Sequence, residues 1–444
     1  MQLSQSLINQ LNSYPIEVLY EYIRKREEDE IKTLKEQDIP IDTDDESDHN
    51  IEFEETDEVD IEQHLEDCYE IVKTNIQIIK EPKYWQLFTN EVLSHLSLLS
   101  VDDIHHLMNS IFGLLIPFRS INTYTPDYVD KDEMQHHITW LRELPQPEQR
   151  TPEWYTYRHT RVTASSAWKI LDTKSQVNRY IWDKCQELNL KKFETTSLNT
   201  PFHWGHKYEP LASLYYEHTY NTKIEDFGCI PHETEEWLAA SPDGINVDPE
   251  STRFGRMLEI KNIVNREITG IPKKEYWIQM QLQMEVCQLS ECDFLECRFK
   301  EYDGMEEYKR DGKWSETKEG KPKGIILMFN HPDETSPHYE YPPKLGMTEN
   351  ETNEWEDKII QYNKEQGRHW NQTIYWYLDE VSCVLVERNI NWFNSVKNQM
   401  KECWEIIQYE KEHGFNHRKP NKRPPVKKAQ KIQGCVLSIS TDDL

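Results

Sequence analysis

The run Met257-Leu258-Glu259-Ile260-Lys261 alternates apolar and ionisable side chains with the period of a β-strand. Residues i and i+2 of a strand face the same side, so Glu259 and Lys261 share one face while Leu258 and Ile260 fill the other. Upstream, the bend Ser241-Pro242-Asp243-Gly244 leads into a second short strand, Ile245-Asn246-Val247. The segment between them carries the turn formers Pro249, Ser251 and Gly255, which can fold the two strands into a hairpin. Such a hairpin brings Asp243 near Glu259. Two hard oxygen ligands converging beside a lysine suit Mg²⁺-dependent phosphodiester hydrolysis. The metal neutralises the scissile phosphate and acidifies a bound water, while the ammonium orients that water or stabilises the developing charge.

Taken alone, an Asp and a Glu-x-Lys pair more often mark a solvated strand edge than a site. Their neighbours change that reading. Gly205-His206-Lys207-Tyr208-Glu209-Pro210 stands upstream, and Tyr276-x-x-Gln279-x-Gln281-x-x-Met284 stands downstream on a helix pattern. Arg150-Thr151-Pro152-Glu153-Trp154-Tyr155, leading through Arg158 to Thr163-Ala164-Ser165, precedes them all. In this order the five blocks resemble the YqaJ-type viral recombinase and phage lambda exonuclease family, within the PD-(D/E)xK nuclease superfamily. The resemblance runs from about Arg150 to Tyr302, with a weaker echo near Val384 to Trp404.

The resemblance implies a restriction-endonuclease-like α/β (α+β) core, a mixed central sheet flanked by helices, here with an N-terminal helical extension. Position by position, it implies Asp243 and Glu259 as metal ligands, Lys261 as the catalytic lysine and Glu209 as a further acid holding the metal or its waters. One glutamine of the pair Gln279 and Gln281 supports the site, and the pattern leaves open which. Arg158 and Ser165 match the family's pocket for a terminal 5′-phosphate, with Ser241 as a contributor. The implied cofactor is Mg²⁺, with Mn²⁺ as a substitute. The implied activity is digestion of double-stranded DNA ends, 5′ to 3′, leaving single strands for an annealing protein in viral recombination or repair. Relatives form rings around DNA, so a homo-oligomer is also implied. A structure-specific or nicking endonuclease on the same core, or an idle DNA-binding scaffold, are the alternatives. The source implied is a large DNA virus, with the protein in the host cytoplasm, a viral factory or the nucleus.

Composition limits these readings without overturning them. A chain of 444 residues is long enough for two domains and a sizeable core. Its net charge of −29 argues against nucleic-acid binding if spread evenly. It is not: residues 1–150 hold 33 acidic and 12 basic side chains, so most of the excess lies outside the motif region. Nine cysteines include no Cys-x-x-Cys pair, and Cys287, Cys292 and Cys297 are spaced as buried thiols rather than as cluster ligands. An odd cysteine count without a signal peptide fits a reducing, intracellular setting. No apolar run approaches the ~20 residues that cross a bilayer, so no membrane association is expected. No phosphate-binding P-loop or internal repeat occurs.

Along the chain, hydrophobic spacing predicts a short helix over 1–25, an acidic disordered linker over 26–62 and a helical N-terminal domain over 63–145. His105-His106 and His136-His137 read as surface or packing histidines. Pro145-Gln146-Pro147-Glu148 reads as a linker into a nuclease domain over 150–413 with an insert near 301–375. Within it the pattern predicts helices over 152–171, 204–220, 274–289 and 390–413. Strands are predicted over 223–232, 237–247, 256–263, 294–300 and 324–329, with a late hairpin from 373–378 and 381–387. The tail 414–444 is expected to be disordered. Its seven basic residues and no acid between 418 and 431 suit non-specific DNA contact, nuclear import or simple solubility.

Overall fold

The computed structural model describes residues 130–190, 200–333 and 336–420, with short stretches and single residues between 71 and 119. The predicted helix at 1–25, the acidic linker at 26–62 and nearly all of the basic tail lie outside the described residues, as does most of the predicted helical domain. In chain order the elements are α1 (Lys131–Glu143), α2 (Pro152–His159), β1 (Val162–Thr163), α3 (Ala164–Ala167), α4 (Lys174–Cys185), α5 (Pro201–Tyr220), β2 (Ile224–Glu225), β3 (Ile230–Pro231), β4 (Leu238–Ala240), β5 (Gly244–Asn246) and β6 (Met257–Asn262). They continue with α6 (Lys274–Cys287), β7 (Glu291–Glu301), α7 (Met305–Arg310), β8 (Lys323–Asn330), β9 (His338–Glu340), α8 (Glu349–Glu365), β10 (His369–Glu387) and α9 (Ile390–His413).

A seven-stranded mixed sheet runs β2-β5-β6-β7-β10-β8-β9, and a three-stranded sheet runs β1-β4-β3. In the large sheet β6 and β7 pair in parallel, joined through α6, while the other neighbours are antiparallel. The alternation in the Met257–Lys261 run is realised on β6. Leu258 and Ile260 pack with Tyr208 and Leu211 of α5, whereas Met257 joins the opposite core with Met280 and Met284 of α6 and Phe294 of β7. The β5–β6 turn is fastened to β7 by charge. Arg253 and Arg256 both reach the buried carboxylate of Asp293, which also accepts from the Tyr216 hydroxyl at 2.5 Å.

Three departures from the predicted elements share one cause, the second sheet. The strand expected over 237–247 breaks at Ser241-Pro242-Asp243, where the chain leaves the small sheet (β4) for the large one (β5); Pro242 has no N–H to give a ladder. The strand expected over 223–232 breaks for the same reason between β2 and β3. The helix expected over 152–171 is interrupted by β-branched Val162-Thr163, which pair in parallel with Leu238 and Ala239. The late hairpin is absent: β10 is one continuous 19-residue strand with a bulge between Leu378 and Glu380. Asp379-Glu380 lacks the glycine that two-residue hairpin turns favour, and β8 and β7 flank successive halves of the strand.

The predicted linker is docked rather than free. Gln146 accepts from the Gly228 N–H and donates to the Leu141 carbonyl, and Pro147 accepts from Cys229 N–H. Helix α1 shares a core with α6 and α9 through Ile138 and Leu141. Arg418, first of the seven basic tail residues, is held by Glu410 and Asn178. His137 Nε2 donates to the Cys287 carbonyl, 2.8 Å away, and the ring lies tilted against Trp140, so it packs as expected. Cys287, Cys292 and Cys297 are buried and free, with Cys292 and Cys297 in cores on opposite faces of β7. Among the described residues no helix is long and apolar enough to cross a membrane.

Gly255 closes the β5–β6 turn at φ +79°, with its N–H bonded to the Asn246 carbonyl. A side chain there would be held in the left-handed region and pressed against Met134. Gly255→Ala is therefore expected to cost about 1–2 kcal/mol of stability, measurable as a lowered urea midpoint with an unchanged m-value.

Candidate active site

The hairpin places the predicted acids directly across from each other. Gly244 pairs with Leu258 and Ile245 with Met257, so Asp243 comes opposite Glu259, and directly opposed residues point to the same face. Asp243 Oδ2 accepts the backbone N–H of Ile260 at 2.8 Å. Glu259 is fully buried. One of its oxygens takes the Lys261 ammonium and Gln279 Nε2 (2.7 Å), and the other takes Gln283 Nε2 (2.8 Å).

The two predicted glutamines meet different partners. Gln279 is on Glu259, whereas Gln281 lies away from the site, bonding the Glu387 carbonyl and the Asn389 N–H where β10 meets α9. Gln281 as a site residue is thus corrected: two residues along a helix is about half a turn, which faces it into the core. Gln283, which the motif reading passed over, is the second glutamine of the site. Its signal was available in the four-residue spacing from Gln279, which puts both amides on one helix face.

Electrostatically the centre holds more negative charge than its counter-ions balance. Burial lifts the Asp243 carboxyl well above the ordinary range, and the neighbouring Glu259 charge adds to that, against Lys261 and the Ile260 N–H. Burial works against the Lys261 ammonium, but Glu259 and Asp243 outweigh it and hold the amine above the usual lysine value. Glu209 lies on α5 and is clasped through both oxygens by Arg150 Nη2 (2.7 and 2.8 Å). Burial raises its carboxyl too, with Arg150 opposing.

Among the described residues no three His, Cys, Asp or Glu side chains gather as a preformed metal cage. The predicted set is instead distributed: Glu259 is engaged by Lys261 and two amides, Glu209 by Arg150, and Asp243 by one N–H. The donors nonetheless fit a hard divalent cation. They are all oxygen, and besides burial, which contributes most, the neighbouring Glu259 and Glu209 charges press the Asp243 carboxyl upward, a repulsion that a dication would relieve.

The predicted phosphate ligands do converge. Arg158 near the end of α2 donates to Ser165 Oγ (2.7 Å) and Ser241 Oγ (3.4 Å), and its guanidinium lies 4.1 Å over the Trp154 ring. Trp154 Nε1 also donates to Ser241 Oγ at 3.1 Å. These residues line a cleft of about 430 Å³ together with Asp243, Glu209, Gln279, Phe202 and Lys184.

Residues 153–290 match the YqaJ-like viral recombinase domain. That stretch is similar to the family's domain. An uncharacterized protein of Acanthamoeba polyphaga mimivirus is 29% identical over 306 residues, 62% of this chain and 55% of that protein. The chain thus spans about half the length of the curated relative it matches. Among solved structures, an alkaline exonuclease from Laribacter hongkongensis aligns with a TM-score of 0.35 and 19% identity over 59% of this chain and 95% of that one. A phage-related exonuclease from Haemophilus somnus aligns with a TM-score of 0.30 and 12% identity over 58% and 96%. All the blocks assembled above except Arg150-Thr151-Pro152 fall inside the matched residues 153–290, while β8, α8, β10 and α9 lie beyond them and complete the sheet and core.

The raised Asp243 carboxyl has a consequence for stability. Its folded value lies above its unfolded one, so the stability linked to it is present at low pH and is lost as pH rises through the folded value. Asp243→Asn keeps an acceptor for the Ile260 N–H and removes the charge. In EDTA at pH 8 the variant is expected to melt above the parent, with the gap closing as pH falls; a parent as stable as the variant at every pH would contradict this.

Proposed function

We propose that the chain is a divalent-metal-dependent deoxyribonuclease that digests double-stranded DNA from its ends, 5′ to 3′, and leaves single strands for recombination in viral DNA replication. The observation that carries this reading is the shared cleft: the Arg158–Ser165–Ser241 cluster opens onto the same space as Asp243, Glu209 and Gln279. An end-dependent nuclease needs a device that recognises a terminus beside the device that cuts. A planar guanidinium with two hydroxyls is suited to a terminal phosphate.

In this mechanism Asp243 and Glu259 would hold the metal, with Glu209 as a further acid, and Mg²⁺ or Mn²⁺ would supply charge neutralisation at the scissile phosphate and an acidified water. Lys261 remains protonated and is placed to orient the attacking water or to stabilise the added negative charge. Gln279 and Gln283 fix the Glu259 rotamer from both sides, so the carboxylate is pre-set rather than recruited. Arg158, Ser165 and Ser241 anchor the end of the strand, setting the distance from terminus to cut. A single-strand annealing protein as recipient of the product, and a homo-oligomer that retains the duplex, complete the proposal.

Lys261→Ala is expected to abolish Mg²⁺-dependent digestion of linear duplex with its circular dichroism unchanged, and closed circular DNA is expected to resist the parent enzyme. Nicking of the circle would favour an endonuclease on the same core. A charge-assisted contact to phosphate is worth about 1.5–3 kcal/mol. Arg158→Ala should therefore lower the rate ratio between 5′-phosphorylated and 5′-hydroxyl duplex by at least about tenfold. Equal loss on both substrates would remove the terminal-phosphate assignment. The glutamines give an independent check: Gln279→Met and Gln283→Met should lower kcat, whereas Gln281→Met should lower the melting temperature and leave kcat nearly intact.

A further inference from the structure

Below the Arg158 cluster lies a lysine that none of the motif blocks contains. Lys184, on α4, is 9% exposed, and its ammonium donates to two backbone carbonyls, Arg158 O at 2.7 Å and Arg161 O at 2.5 Å. Both carbonyls belong to the C-terminal end of α2 and the turn after it. That end carries the helix's partial negative charge, and its residues Arg158 and His159 line the cleft together with Lys184. Unscreened, it would repel the anion.

The groups around Lys184 do not explain a buried ammonium. Arg158, His159 and Arg161 come from α2 and its turn, Lys169 from the single 3₁₀ turn after α3, Tyr180 from α4 itself, Cys229 from the segment before β3 and Lys411 from α9. Among the described residues neither Lys184 nor Arg158 forms an ion pair with a carboxylate; Asp243 acts on Arg158 only at longer range. Two desolvated cations thus stand together with carbonyls and hydroxyls as partners, which is costly unless an anion joins them.

We propose that Lys184 is a positioning residue for the terminal phosphate: its ammonium ties down the α2 carbonyls, holds Arg158 in place and supplies the second positive charge that a phosphate dianion requires. This inference rests on the end-recognition reading above. It adds a pH dependence that Arg158 and the serines cannot produce. Burial, with Arg158 and Lys411 adding, brings the Lys184 amine down to about 7. A bound dianion favours the ammonium and draws that value up again, so phosphate binding takes up a proton. Preference for a 5′-phosphate therefore weakens as pH rises above about 7, by at most about tenfold per pH unit.

The test compares initial rates on 5′-phosphorylated and 5′-hydroxyl duplexes from pH 7 to pH 9, where the terminal phosphate, with its second pKa of about 6, stays a dianion. In the parent enzyme the phosphate-to-hydroxyl ratio should fall by at least about tenfold across this range. Lys184→Gln keeps a donor for one carbonyl without the charge, and Lys184→Met replaces the amine with an apolar chain of similar length. Both should show a low ratio at pH 7 that no longer changes with pH. A purely structural lysine would leave the ratio and its pH profile intact in any variant that folds, and that result in Lys184→Gln overturns the inference. Arg158→Ala separates the two levels. If it collapses the ratio while the Lys184 variants do not, only the role of Lys184 falls. If neither affects it, the end-recognition reading falls and takes this inference with it.

Discussion

The β5–β6 hairpin is the constraint on which the rest depends. Its rungs, Gly244 with Leu258 and Ile245 with Met257, set two carboxylates side by side on a buried face. Like charges in such a place are unfavourable, and the surrounding structure can be understood as the means of holding them there. Asp243 is tied to the Ile260 N–H, Glu259 is wrapped by an ammonium and two amides, and the hairpin is clamped to β7 through Arg253, Arg256 and Asp293. The strain is electrostatic rather than conformational. Added positive charge, a proton or a cation, relieves it.

Helix α6 links fold to chemistry. Its crossover makes β6 and β7 parallel, and the same helix delivers Gln279 and Gln283 to Glu259 while Met280 and Met284 fill the core beneath. Gln281, on another face, bonds the β10–α9 junction and so couples the site's supporting helix to the last strand and the closing helix. One helix therefore serves as packing element, second layer of the site and anchor for the C-terminal part of the fold.

The cleft adds a second electrostatic centre of opposite sign. Trp154 and Arg158 from α2, Ser165 from α3 and Ser241 from the strand crossover assemble a cationic pocket against the acidic one. Ser241 and Asp243 sit two residues apart on the same crossover between the sheets. A phosphate bound at one centre and a scissile bond presented to the other would thus be held in a fixed relation by three residues of backbone.

Much of this was legible in the residues. Period-two alternation over 257–261 fixed both the strand and the two faces, because side-chain direction along a strand is local geometry. Turn formers between 248 and 255 specified the hairpin for the same local reason, and α9 was predicted with the bounds it has. Helical spacing could have distinguished Gln279 and Gln283 from Gln281. Only the tertiary structure decided where strands end, because Val162, Ser241 and the segment 226–229 change course to join a second sheet that no local pattern announces. Likewise β10 is continuous because two different strands, β8 and β7, flank its halves. The charged partners were hidden for the same reason: Arg150 on Glu209 and the Lys184 ammonium on the Arg158 carbonyl are contacts between residues 59 and 26 positions apart. Periodicity tells which way a side chain points, but what it meets there depends on how the whole chain returns upon itself.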